Sequence, residues 1–146
     1  MSIKTAYKSL VDSLYTDGDS HCEYMIYDMD QDGTTELIYK KDTCRANLKT
    51  YYYTYKDGTI VKLYEDGETT LYVTESGFGL YAHWAHMGFA QIEHIQKSGN
   101  EITSEVVFTE EGIQDSSDYT YPDDKYLLET FQYNDPTGIE RFASCN

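Results

Sequence analysis

Asp28, Asp30 and Asp32 stand at alternate positions of the run Asp28-Met29-Asp30-Gln31-Asp32-Gly33-Thr34-Thr35-Glu36. Counting Asp28 as the first position, Gly33 supplies a sharp turn at the sixth. The carbonyl of Thr34 follows at the seventh and the carboxylate of Glu36 at the ninth. Carboxylates in this phase around a turn glycine make a donor set for a hard divalent cation, which takes about six to eight oxygens. The residue types and spacing therefore predict a calcium cofactor held by Asp28, Asp30, Asp32, Thr34 and Glu36. The competing reading is a solvated Asp-Gly turn in an acidic chain. Against it stands repulsion of roughly 1 kcal/mol for each close carboxylate pair even at full solvent screening, which a cation removes.

An EF-hand needs a bidentate Glu at its twelfth position, where this chain has Tyr39, so the loop is of another kind. Its flanks, residues 24–27 and 37–39, are aromatic and β-branched and read as strands, giving a strand-loop-strand hairpin over residues 23–42. These residues resemble the Asp-x-Asp-x-Asp-Gly-x-x-Glu-Leu loops of FG-GAP and VCBS-type repeats, and of small secreted or lipid-anchored proteins of Gram-positive bacteria. The resemblance covers residues 24–39. It implies calcium on the same five residues, and the function expected is that of a non-enzymatic domain outside the cell or at its surface.

Two other groups of residues have the chemistry for binding. The segment from Phe78 to Phe89 holds the only Trp, Trp84, between His83 and His86, with Glu93 and His94 further on. A three-residue His spacing suits zinc on a helix or in a tight turn, but the glycines on both sides favour a strand-loop-strand edge packed on the core. Of the 16 tyrosines, Tyr51, Tyr53 and Tyr55 share one face of a predicted strand, with Tyr52 on the other. An exposed row of this kind would stack on a glycan or grip a protein partner, whereas a buried one would fill the core. The alternative function is thus a carbohydrate- or protein-binding module built on these tyrosines with His83, Trp84 and His86. A small metal-dependent hydrolase is a further alternative, although no Gly-x-Ser-x-Gly elbow or His-Glu-x-x-His motif occurs.

Net charge −15 argues against nucleic acid and anionic membrane surfaces as partners. No apolar run is long enough to span a bilayer. The start Met1-Ser2-Ile3-Lys4-Thr5 lacks the apolar stretch of an export signal, so the chain is expected to be cytoplasmic or to have had such a signal removed, and the extracellular expectation rests on the loop and on cysteines; oligomeric state is left open. Cys22 and Cys44 flank the hairpin. With Tyr27 opposite Leu37, Cys22 falls near Asp42, one bulge away from a cross-strand disulfide with Cys44. Two thiols are the other reading, and Cys145 is expected unpaired.

The 146 residues suit one domain. Ile3, Ala6, Tyr7, Leu10, Val11 and Leu14 form an apolar helical stripe over residues 3–15, capped by Ser2 and ended at Asp17-Gly18. Asp57-Gly58, Asp66-Gly67 and Lys97-Ser98-Gly99-Asn100 predict hairpin turns of a meander over residues 49–109. Residues 110–146 read as a loop and a short helix over 122–131. The expected fold is α+β: an N-terminal helix on a twisted antiparallel meander of about six or seven strands, with a short C-terminal helix.

Overall fold

The computed structural model describes residues 3–14, 21–42, 49–67, 69–86, 89–111, 126–135 and 137–139. These comprise helix α1 (Ile3–Leu14) and strands β1 (His21–Tyr27), β2 (Glu36–Asp42), β3 (Lys49–Lys56), β4 (Thr59–Asp66), β5 (Thr70–Val73), β6 (Leu80–His86), β7 (Phe89–Ser98), β8 (Glu101–Glu111) and β9 (Phe131–Gln132). Residues 137–139 are helical. The mostly antiparallel α+β character matches the expectation; the strand count is higher, and the strands divide into two sheets, ordered β4-β3-β2-β1-β9 and β5-β6-β7-β8. Two compact units result, residues 1–28 with 32–68 and 129–146, and residues 29–31 with 69–128.

In the first unit α1 lays Tyr7 and Val11 on Cys22, Tyr24, Leu37, Tyr39 and Tyr53, with Ile3 and Leu10 packed beside them. Full burial of large apolar side chains stabilises by about 1.5–3 kcal/mol each, so this stripe is what holds a twelve-residue helix in place. The predicted cap Ser2 and stop Asp17-Gly18 lie outside the described residues. The other face of the same strands is buried too: Met25, Ile38 and Tyr52 are at most 1% exposed, and Glu36, Lys40, Thr50 and Thr54 are buried among them. A sheet buried on both faces explains why β1 to β3 carry aromatic and apolar residues at consecutive positions instead of alternating.

The β3–β4 hairpin turns at Asp57 (φ 53°) and Gly58 (φ 79°), as the Asp-Gly signal predicts. The second Asp-Gly departs from its prediction. Gly67 is not among the residues with positive φ, so it cannot complete the tight hairpin turn, and its N–H bonds to Asp66 Oδ1 at 2.8 Å. The chain leaves the first sheet there, and β5 pairs with β6 instead of β4. That exit divides the predicted meander. In the second unit β7 and β8 close a two-residue hairpin at Gly99-Asn100, Ser98 lying opposite Glu101.

The helix expected over 122–131 is also corrected. Residues 122–125 lie outside the described residues, Tyr126 is in a 3₁₀ turn, and residues 127–131 are not helical. Leu127 bridges Tyr72, Leu128 N bonds to Leu71 O at 3.0 Å, and Phe131 pairs with Tyr24. An extended chain satisfies its backbone groups on open strand edges, which a helix here would leave unpaired. The short helical segment falls later, at 137–139, where Gly138 sits against the rings of Phe131 and Tyr24.

A Cβ at Gly138 would lie 2.6 Å from Phe131 Cδ2 and 2.9 Å from Tyr24 Cε2. Gly138→Ala is therefore expected to destabilise by about 1–3 kcal/mol through overpacking. In urea denaturation this reads as a lowered midpoint with an unchanged slope. A wild-type midpoint would show that the C-terminal segment does not dock on β1 and β9.

Candidate metal centre

Residues 28–35 connect β1 to β2, so the acidic run lies between two strands, as expected. The hairpin register differs by one from the expected alignment: Tyr27 pairs with Glu36 and Cys22 with Lys41. Glu36 consequently begins the strand instead of ending the loop. Cys22 is buried; Cys44 and Cys145 lie outside the described residues, and so therefore does the expected pairing of Cys22 with Cys44.

The turn is formed by the acids themselves. Asp28 Oδ1 accepts the Asp32 N–H at 3.2 Å and its Oδ2 accepts the Gly33 N–H at 2.9 Å. Asp32 Oδ1 accepts the Thr34 N–H at 2.8 Å. Gly33 has φ 94°, a conformation that costs glycine little and other residues more, and the neighbouring Gln31 also has positive φ.

This winding brings ligand-capable oxygens of Asp28, Asp30 and Glu36 within 4.8 Å of one another. Asp28 and Asp30 are half-buried and Glu36 fully buried. Asp32 is exposed and lies outside that group of three, its carboxylate turned to the Thr34 amide. Thr34 is half-buried beside it. Carboxylate oxygens have about four lone-pair sites between them, so accepting N–H bonds leaves Asp28 able to coordinate as well.

Three residues distant in sequence complete the surroundings. Lys97 Nζ donates to Asp30 Oδ2 at 2.8 Å, with 4% of the Lys97 side chain and 18% of that of Asp30 exposed. Asp30 Oδ1 is buried and takes no hydrogen bond among the described residues. Thr54 on β3 donates to Glu36 Oε2 at 3.0 Å. Tyr7 on α1 donates to the Thr35 carbonyl at 2.7 Å; burial, and then the charge of Glu36, hold its phenol above the usual tyrosine range. Asp28 similarly adds to burial in raising Tyr27. The spacing from Asp30 to Lys97 follows no local pattern, and Lys97 reads in sequence as part of a solvated turn. Thr54 was legible only as the residue sharing a face with Tyr52.

The other candidates are placed differently. Tyr53 is buried, and Tyr51 and Tyr55 pack half-buried against the cluster beneath α1, so this row is a core face. His83 lies on β6, interior to its sheet, edge-on to Tyr72 with centroids 6.4 Å apart; desolvation lowers its pKa below the usual 6.5. His86 closes β6, and its side chain lies outside the described residues. Their separation is odd along a strand of period two, which does not suit a shared ligand. His94 on β7 lies tilted against Tyr81, centroids 5.4 Å apart, and its Nε2 lies 3.1 Å from Phe78 O. Trp84 is partly exposed and contacts Phe89, centroids 5.8 Å apart.

Removing the ammonium would leave Asp30 a poorly solvated carboxylate without its counter-ion. Lys97→Met in metal-free protein is expected to cost about 1–3 kcal/mol, and Asp30→Asn in the same chain is expected to recover part of it. A double-mutant cycle in urea with coupling near zero would show that the pair is not formed in solution.

Comparison with protein-family models, with curated proteins and with solved structures finds no match to this chain.

Proposed function

We propose that residues 28–36 hold one calcium ion, and that the chain is a non-enzymatic, calcium-stabilised domain that works outside the cell or at its surface. The observation that carries this reading is the convergence of Asp28, Asp30 and Glu36, with oxygens within 4.8 Å and Glu36 at 0% exposure. A buried carboxylate is costly unless it is paired or coordinates a metal. Three carboxylates at this range repel by roughly 1 kcal/mol per pair in bulk water and roughly 3–4 kcal/mol at an effective dielectric of about 20. A divalent cation among them reverses the sign of that sum. An all-oxygen donor set with carboxylates suits calcium, and magnesium, which keeps several waters and a rigid octahedron, less well.

The role proposed is structural. A catalytic metal keeps a position open for water or substrate, whereas this loop can supply Asp28, Asp30, Asp32, the Thr34 carbonyl and Glu36 to one ion. Sites of the extracellular kind bind with dissociation constants of about 10⁻⁴–10⁻³ M, matched to a medium rich in calcium. A binding-module reading is favoured only by the partly exposed Trp84 with Phe89, and a glycan array with Trp84→Ala as control tests it.

For a dissociation constant of about 10⁻⁴ M, millimolar calcium should stabilise the fold by about 1.4 kcal/mol, a rise of about 3–6 °C in Tm. A chelator should reverse the rise, and Asp30→Ala should abolish it. No heat on titration with calcium, together with a Tm indifferent to chelator, would overturn the proposal.

A further inference from the structure

β8 (Glu101–Glu111) is the last strand of its sheet, hydrogen-bonded among the described residues to β7 alone. It is eleven residues long, about twice the common strand length. Residues 103–107 are all exposed. Successive strand residues face opposite sides, so an unbroken exposed run means that both faces of β8 are open. Val106 and Val107 are 51% and 47% exposed. An edge strand presents a row of outward N–H and C=O groups, and proteins usually blunt such edges with charged side chains, above all Lys, with Pro, with bulges or with short length. β8 has neither Lys nor Pro. It does carry an irregularity: Phe108 pairs with Ile92 and Val106 with Glu93, leaving Val107 as an extra residue. The bulge bounds a regular stretch, Glu101–Val106.

Charge selects the occupant. Glu101 and Glu105 are both exposed on this stretch, and the chain carries net charge −15. A second copy would bring like charges to the same edge, which destabilises cross-strand pairs. A cationic strand reverses that sign. We propose that the Glu101–Val106 edge of β8 is a docking strand for an extended, Lys- or Arg-bearing segment of a protein partner, added antiparallel as a fifth strand of this sheet. Main-chain hydrogen bonds supply affinity in this mode and alternate side chains supply specificity. The register follows from β8: cations opposite Glu105 and Glu101, and a β-branched residue opposite Val106. In partner order this reads Val-Lys-Thr-Thr-Val-Lys. The inference is independent of the calcium site.

The test uses the full chain, a synthetic peptide with that core, and a control of the same charge N-methylated at alternate backbone nitrogens. Amide hydrogen exchange over residues 101–106 is the readout. The peptide is expected to slow exchange at alternate β8 amides about tenfold or more, and the control to leave them unchanged. Glu101→Lys with Glu105→Lys, and separately Val106→Lys, should each weaken peptide binding about tenfold or more. Equal binding of peptide and control would show charge attraction alone and overturn the proposal. So would unchanged exchange at saturating peptide, or protection that rises with protein concentration alone, which would assign the edge to a second copy.

Discussion

The convergence of Asp28, Asp30 and Glu36 is the constraint around which the first hairpin is arranged. Like charges at this range oppose the very turn that creates them, and several features of the fold act against that repulsion. Backbone N–H groups of Asp32 and Gly33 point at the Asp28 carboxylate. The Lys97 ammonium meets Asp30, and the Thr54 hydroxyl meets Glu36. The proposed cation would add a contribution that addresses all three carboxylates together.

The surroundings explain why these acids are fixed and not simply splayed into water. Tyr7 joins the buried helix stripe to the Thr35 carbonyl, next to Glu36. Glu36 is buried at the start of β2, and its backbone pairs with Tyr27 of β1, so the sheet fixes where its side chain leaves the chain. A ligand on a strand beside ligands on a hydrogen-bonded loop gives the proposed cation site a preformed wall. That favours a structural role, because the ion completes a scaffold whose other parts are already held by packing.

What the sequence made legible was local. The helical stripe from Ile3 to Val11, the strands on either side of the acidic loop, the turn at Asp57-Gly58 and the hairpin before Asn100 all follow from periodicity or turn chemistry within a few residues. The departures are non-local. Asp66-Gly67 has the same letters as a hairpin turn, but Gly67 does not take positive φ, and pairing of β5 with β6 decides the outcome. Residues 126–131 have helix-compatible letters, yet backbone pairing with Leu71, Tyr72 and β1 prevails. At the site, Asp28, Asp30 and Glu36 were visible as a spacing, whereas Lys97, 67 residues from Asp30, becomes visible only once β7 is placed. Tyr51, Tyr53 and Tyr55 all meet the cluster that includes Tyr7 and Val11 of α1, and what covers them depends on where α1 packs.

The central claim is that this loop is a calcium site, and the coordination sphere itself tests it most directly. A crystal of the full chain grown with calcium is expected to show one ion with oxygens of Asp28, Asp30 and Glu36 at about 2.3–2.6 Å, and an anomalous signal at its position. Residues 28–36 with those carboxylates bonded only to protein and water, at saturating calcium, would contradict it.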